Sequence, residues 1–227
     1  MNELISENIE QVRARITSAA ERSGSNPEQI TLCVVTKTQP LDSVHAVVEA
    51  GILDIGENYY QELRDKWDRF PPEVRWHFIG GLQSNKAKYL VGRCATIQSM
   101  DSISLAVEIN KRAQNAGVVQ SVLIEVQLGD GESRAGAGLS EASRLIEQVM
   151  ELRAVHLKGL MAVAPIAERP DIVRGPFRDM KRMFDGLPLE NRKILSMGMT
   201  SDFEIAIEEG SNFVRIGTAI FGPRRVK

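Results

Sequence analysis

The chain has 227 residues, and its 28 Lys and Arg against 30 Asp and Glu give a formal net charge of −2. Hydrophobic residues make up 43% and charged residues 26%, which is typical of a folded globular protein and argues against disorder. The near-neutral charge argues against nucleic-acid binding, which usually needs a basic surface. No apolar stretch approaches the ~20 residues that a membrane span requires, so we expect no membrane association.

The cysteines and the N-terminus indicate a reducing compartment. Cys33 and Cys94 lie far apart, with no Cys-x-x-Cys motif and no Cys/His cluster. This pattern argues against a disulfide framework and a structural zinc site, and we expect no metal. The first residues are acidic and amphipathic, which is wrong for a signal peptide. The sequence therefore predicts a cytoplasmic protein with a single domain over residues 1–227.

The sequence predicts that residues 1–24 form a helix, which packs on the rest of this domain. Apolar side chains at Ile5, Ile9, Val12 and Ile16 form one stripe on a helix over Leu4–Ala20.

Eight short apolar segments follow, and helical patterns separate them. Such segments are typical of parallel strands that are buried on both faces. The predicted strands are Ile30–Thr36, Ile52–Ile55, Trp76–Ile79, Ala95–Met100, Val122–Val126, Leu157–Val163, Lys193–Met197 and Phe213–Ile216. A (β/α)₈ TIM barrel and an open doubly wound sheet both fit this alternation, and the count of eight favours the barrel. In a barrel, functional residues stand where strands end.

Lys37 ends the first predicted strand, after a nearly pure apolar run. It is either a surface lysine or an amine held in the apolar mouth of the barrel. In the second case burial would lower the pKa of the ammonium, and a neutral amine can form a Schiff base with a carbonyl compound.

The loops after the seventh and eighth strands have the composition of a phosphate site. Ser196-Met197-Gly198-Met199-Thr200-Ser201 ends the seventh strand, and Arg215-Ile216-Gly217-Thr218 ends the eighth. Small and hydroxyl residues before a helix suit an anion, and barrels often hold phosphate at these two loops. Ser201 with Glu204 also predicts a plain capping box at the start of the next helix.

Arg215 shares a strand face with Phe213 and Gly217, because side chains alternate along a strand. A guanidinium inside a barrel needs a partner. It either pairs with a barrel carboxylate, such as Glu57 or Glu125, or contacts a ring nitrogen or carboxylate of a ligand.

Several motifs, in order along residues 5–224, resemble the pyridoxal phosphate homeostasis protein family. They are Val35-Thr36-Lys37-Thr38, Gly56-Glu57-Asn58, His77-Phe78-Ile79-Gly80, Leu82-Gln83-Ser84-Asn85-Lys86, Gly159-Leu160-Met161, Leu195–Asp202 and Val214–Gly222. The resemblance implies a single-domain barrel like the N-terminal domain of alanine racemase. It also implies that pyridoxal 5′-phosphate (PLP) forms a Schiff base with Lys37.

The resemblance assigns further residues to this cofactor site. Ser196, Met197, Gly198, Ser201, Gly217 and Thr218 would hold the phosphate, Arg215 would face the pyridine nitrogen, and Asn58 and Met161 would line the ring pocket. A charged guanidinium beside that nitrogen discourages its protonation, which makes PLP a weaker electron sink.

The resemblance implies a carrier that buffers PLP and delivers it to PLP-dependent apoenzymes, without substantial amino-acid turnover. The chain ends soon after the eighth strand, and the second domain of a racemase is missing, so we expect a monomer without enzymatic activity. Two alternatives stay open: a small PLP enzyme such as an amino-acid racemase, and a barrel enzyme that uses Lys37 on another phosphorylated metabolite.

Two positions depart from the family pattern. Arg134 stands where the family often has lysine, and arginine cannot form a Schiff base, although its charge can attract phosphate. Gly81 stands where many members carry a larger residue, which predicts a more mobile third loop.

Overall fold

The computed structural model describes residues 2–128, 136–164 and 170–223. The predicted strands are all present, with ends that shift by at most two residues. They are β1 (Thr31–Val35), β2 (Asp54–Glu57), β3 (Arg75–Phe78), β4 (Thr96–Met100), β5 (Gln120–Gln127), β6 (Val155–Val163), β7 (Ile194–Ser196) and β8 (Phe213–Ile216).

Helices precede, connect and follow these strands. They are α1 (Asn2–Ser23), α2 (Leu41–Glu49), α3 (Tyr60–Lys66), α4 (Ala87–Leu90), α5 (Ile103–Ala116), α6 (Leu139–Met150), α7 (Arg174–Asp185), α8 (Phe203–Glu208) and α9 (Thr218–Phe221). Within the three described ranges, no helix is long and apolar enough to cross a membrane.

The strands form a closed barrel in which each pairs in parallel with its neighbours in sequence, and β8 pairs with β1. The register between β1 and β8 places Cys33 beside Arg215 and Val34 beside Ile216. The barrel prediction is therefore confirmed, and the open doubly wound sheet is excluded. Closure brings the ends of β1, β7 and β8 to one edge of the barrel.

The N-terminal helix is present and packs against α2, α8 and α9. Its predicted apolar stripe is the buried face, and Ile9 is fully buried. The amide nitrogen of Asn8 donates to the carbonyl of Ile220 at 2.8 Å, which fastens α1 to α9. Arg15 and Arg22 form ion pairs with Glu204 and Glu208 of α8.

The predicted capping box at Ser201 and Glu204 is wrong. Helix α8 begins at Phe203, and Ser201 is exposed before it. Asp202 stands at the cap position, and its carboxylate accepts a hydrogen bond from the Met199 N–H at 2.6 Å. Glu204 lies on the outer face of α8 and accepts from Arg15 instead. Arg15, which lies on α1 and is distant in sequence, therefore determines the orientation of the Glu204 carboxylate.

Candidate functional site

Lys37 follows β1 directly, at the C-terminal edge of the barrel, as predicted. The Thr36 N–H donates to the Gly56 carbonyl at 3.0 Å, so the pairing of β1 with β2 continues to this point. The chain then turns, with the Gln39 N–H donating to the Thr36 carbonyl at 3.1 Å. Lys37 is partly buried in this turn.

The loops after β7 and β8 contact each other, as a shared phosphate site requires. The Arg215 N–H donates to the Gly198 carbonyl at 3.0 Å, and the Ala219 N–H donates to the Thr200 hydroxyl at 3.2 Å. Ser201 and Thr218 are exposed on this surface, where their hydroxyls are accessible to a ligand.

Two glycines of these loops stand where a side chain would be crowded. Gly198 has a φ of +96°, and a Cβ there would lie 2.6 Å from the Cβ of Ala206 on α8. A Cβ at Gly217 would lie 3.3 Å from the carbonyl oxygen of Val35. Gly217 therefore lets the β8 loop approach the end of β1, two residues before Lys37.

Arg215 is buried inside the barrel, and its guanidinium bonds to neutral groups. One terminal nitrogen donates to the carbonyl and the hydroxyl of Ser196 at 2.8 and 2.6 Å, and the other donates to the Ala162 carbonyl at 2.8 Å. Among the described residues, no carboxylate lies within 4 Å of it, so the predicted alternative of an ion pair with Glu57 or Glu125 is not the arrangement seen. Burial lowers the pKa of Arg215 from its ordinary value.

A line of polar side chains, which the sequence did not reveal, continues from Ser196 through the barrel. The Ser196 hydroxyl donates to the Gln98 side-chain oxygen at 2.7 Å, and the Gln98 amide nitrogen lies 3.3 Å from Nδ1 of His77. Nε2 of His77 lies 2.9 Å from the Asp54 carboxylate, which also pairs with Arg75. We call these hydrogen-bonded residues the interior polar chain: Arg215, Ser196, Gln98, His77, Asp54 and Arg75.

Opposing influences act on Asp54 at the far end of the interior polar chain. Burial acts to raise the pKa of its carboxyl group, but hydrogen bonds from His77 and Arg75 outweigh burial and hold the pKa below its ordinary value. Asp54 and Arg75 begin β2 and β3, so this end lies opposite the edge that carries Lys37. His77 is therefore a hydrogen-bonded interior residue.

Asn58 follows β2 at the same edge as Lys37 and has an unsatisfied polar atom. Its side-chain oxygen is buried and has no hydrogen-bond partner in the described structure. Gly80 explains the tight surroundings, because a Cβ there would collide with the Asn58 carbonyl. A buried acceptor without a partner costs stability unless a ligand or water supplies a donor.

The two predicted methionines are buried core residues near Ser196. Met161 on β6 pairs with Ser196 of β7, and Met197 follows it. Glu125 of β5 pairs with Met161, and burial raises the pKa of its carboxyl group to about 7, which Arg215 opposes. Met161 thus lies between Glu125 and Ser196 in the barrel wall.

The remaining predicted positions have simpler outcomes. Arg134 lies outside the described residues. A Cβ at Gly81 would meet no atom within 4 Å, so the larger residues of other family members would fit there. Cys33 and Cys94 are buried free thiols. The described residues contain no group of three His, Cys, Asp or Glu side chains that could hold a metal ion.

Comparison with known proteins identifies the family. Residues 7–225 match the family described as alanine racemase, N-terminal domain. The pyridoxal phosphate homeostasis protein of Aquifex aeolicus is 41% identical over 96% of this chain and 98% of its own length. The protein of the same name from Escherichia coli K12 is 39% identical over 97% of both chains.

Solved structures agree with this assignment. A protein of unknown function from Bifidobacterium adolescentis has a TM-score of 0.92 and 34% identity, over 97% of this chain and 95% of its own. PipY of Synechococcus elongatus, solved with PLP bound, has a TM-score of 0.82 and 28% identity, over 96% of this chain and all of its own. Clostridium difficile alanine racemase (TM-score 0.74, 15% identity, 95% of this chain and 60% of its own) shares the fold. The chain therefore belongs to the pyridoxal phosphate homeostasis protein family.

Proposed function

We propose that this protein binds PLP covalently on the amine of Lys37 and takes part in the intracellular homeostasis of PLP. The observation that carries the proposal is the PLP-bound structure of PipY, which this chain matches over 96% of its length. The relatives at 39–41% identity bear the same functional name and match over nearly their whole length. The position of Lys37 supports the assignment, since it follows β1 at the edge of the barrel that also carries the loops of β7 and β8.

The described residues fit this cofactor. The exposed hydroxyls of Ser201 and Thr218 suit a phosphate at the joined loops, and Gly198 and Gly217 let the backbone come close to it. The unpartnered oxygen of Asn58 suits a donor on a ligand at the mouth of the barrel. PLP supplies an aldehyde, which condenses with a primary amine and releases one water molecule.

The roles that we assign to the protein's own residues follow from their contacts. The Ser196 and Ala162 carbonyls hold the Arg215 guanidinium in one orientation inside the barrel, so that a fixed positive charge faces the pyridine nitrogen. This charge discourages protonation of the ring and favours keeping the cofactor over turning over amino acids. Met161 and Met197 are buried, so the role that we assign to them is to pack behind the ring and the phosphate.

A carrier role is favoured over an amino-acid racemase. The chain covers 98% of the Aquifex aeolicus homeostasis protein but only 60% of Clostridium difficile alanine racemase. We infer a cytoplasmic monomer that delivers PLP to apoenzymes. The two unpaired, buried cysteines support the reducing compartment.

The test is the absorption spectrum of the purified protein mixed with PLP. We expect a near-ultraviolet/visible band that borohydride abolishes, with the reduced adduct mapping to the peptide that contains Lys37. Lys37→Ala should lose the band completely. Lys88→Ala, which removes an exposed amine on α4, should keep it.

A colourless wild-type mixture would contradict PLP binding. A Lys37→Ala protein that keeps a reducible adduct on another lysine would contradict the assignment of the residue. Steady racemisation of alanine by the wild type would contradict the carrier role.

A further inference from the structure

Helix α3 holds both peptide groups that join Lys37 to the chain. The ammonium of Lys66 donates to the Thr36 carbonyl, which belongs to the peptide group before Lys37, at 2.8 Å. The carboxylate of Glu62 accepts from the Thr38 N–H, which belongs to the peptide group after Lys37, at 2.6 Å. Because Glu62 and Lys66 are four residues apart, they lie on one face of α3, where their charged atoms approach to 3.3 Å.

These two contacts fix a turn that the chain would otherwise avoid. Thr38 has a φ of 63°, and it is the one residue other than glycine with a positive φ in the three described ranges. This backbone conformation is strained for a β-branched residue and persists only where its surroundings impose it. The bond from the Thr38 N–H to Glu62 is such a constraint.

Lys66 is itself buried and fully bonded. Its side chain is 7% exposed, and its ammonium also lies 2.6 Å from the Glu57 carboxylate, which is completely buried. The Thr36 hydroxyl donates to the same Glu57 oxygen at 2.5 Å. Burial raises the pKa of Glu57, and the charge of Lys66 opposes this shift. With Glu57, Glu62 and Thr36 as acceptors, the three N–H groups of Lys66 are used.

We propose that Glu62 and Lys66 are positioning residues, which fix the backbone on both sides of Lys37 so that its amine is presented in one direction. We call the pair the α3 clamp. The inference rests on the proposed function, because it assigns a purpose to the clamp only if Lys37 bonds to PLP. The ammonium of Lys66 is buried and all three of its N–H groups are hydrogen-bonded, which makes it a poor nucleophile. The clamp therefore also distinguishes Lys66 from Lys37, the lysine that we propose to react.

The test distinguishes an effect on the position of the Lys37 amine from an effect on the shape of the cofactor site. The full chain, freed of PLP by dialysis against cysteine, is mixed with PLP, and the absorbance change gives the rate constant of covalent bond formation. Pyridoxine 5′-phosphate, which carries an alcohol in place of the aldehyde, measures non-covalent affinity in the same proteins. Glu62→Ala is the main variant, because it removes the acceptor of the Thr38 N–H and leaves the buried contact between Lys66 and Glu57 intact.

We expect Glu62→Ala to slow bond formation by about tenfold or more, since small displacements of a reacting group have effects of this size. Its affinity for pyridoxine 5′-phosphate should stay within about threefold of wild type. Lys66→Met combined with Glu57→Gln removes the second half of the clamp without leaving a lone buried charge, and we expect the same pattern. Glu108→Ala, which breaks another i,i+4 pair with Arg112 on α5, should change neither quantity.

The outcomes are distinguishable. A wild-type protein that forms no covalent bond with PLP would overturn the proposed function itself. A wild type that bonds normally, with Glu62→Ala equally fast, would overturn the clamp alone. An equal loss of bond formation and of pyridoxine 5′-phosphate affinity in Glu62→Ala would show a structural role and would also overturn it.

Discussion

At the residue scale, Gln98 accepts the hydroxyl proton of buried Ser196 and is the partner of Nδ1 of buried His77. Gln98→Leu should therefore lower the free energy of unfolding by about 1–3 kcal/mol, the cost of unsatisfied buried groups. Urea denaturation measures this. Gln114→Leu, at an exposed position of α5, is the control, and a Gln98 variant as stable as that control would contradict the role of the interior polar chain.

Glu125 makes the free energy of unfolding fall as the pH rises. Its pKa is about 7 in the folded protein against an ordinary value of 4.5. The folded state therefore holds more protons between these values, and the stability that Glu125 contributes below pH 4.5 is lost as the pH rises through 7. The glutamine of Glu125→Gln cannot ionise. Between pH 4.5 and pH 8 the free energy of unfolding of this variant should therefore rise by roughly 3 kcal/mol relative to that of the wild type.

Urea denaturation of both proteins at several pH values checks this prediction. Glu151→Gln, which changes an exposed carboxylate, should run parallel to the wild type across the range. A constant difference between Glu125→Gln and wild type would contradict the prediction, because it would show that the Glu125 carboxyl has the same pKa in the folded and the unfolded protein.

Individual site residues differ in how far the sequence predicted them. Lys37 was predictable because an isolated lysine after an apolar run stands out. Lys66 was not, because a lysine in a charged helix usually faces solvent, and its burial depends on Glu57 from β2. The spacing of Glu62 and Lys66, together with a carboxylate at a strand end, was the available signal. The sequence contains no signal for the role of Gln98, because its partners come from β3 and β7.

At the scale of elements, the apolar face of α1 fastens this helix to the barrel more strongly than its ion pairs do. Ile9 is completely buried, whereas the Arg22 side chain is half exposed in its pair with Glu208. Ile9→Ala should lower the free energy of unfolding by about 2–5 kcal/mol, and Arg22→Gln by about 0–1 kcal/mol. Urea denaturation at one pH compares them. The reverse order would mean that charge pairing holds the helix.

Strands were easier to predict than helix ends. Parallel strands buried on both faces are continuous apolar runs, which the sequence displays directly. The charged segment after Asn58 continues to Phe70 with no proline or glycine to end a helix, but α3 ends at Lys66 and a 3₁₀ turn covers Trp67–Arg69. Asp101 has a side chain typical of a helix cap, yet Ser102 holds the cap position of α5. Helix ends depend on local contacts that a periodic pattern does not contain.

At the scale of the whole molecule, the strand count was enough to favour a closed barrel, because each strand–helix unit adds one strand beside the last. Closure then determines which loops meet. Residues near positions 37 and 217 are far apart in sequence, but the pairing of β8 with β1 makes them neighbours. The general location of the site followed from this topology, whereas the interior polar chain and the α3 clamp depend on side-chain packing.

The meeting of the first and last strands also has a consequence during synthesis on the ribosome. β1 emerges before the other seven strands, but its partner β8 emerges after all of them, so the ring stays open until the eighth strand has left the exit tunnel. Until then Lys37, the lysine of the proposed function, stands without the loops that would hold the vitamer's phosphate. The proposed binding mode therefore restricts stable capture of the vitamer to nascent chains in which all eight strands have emerged.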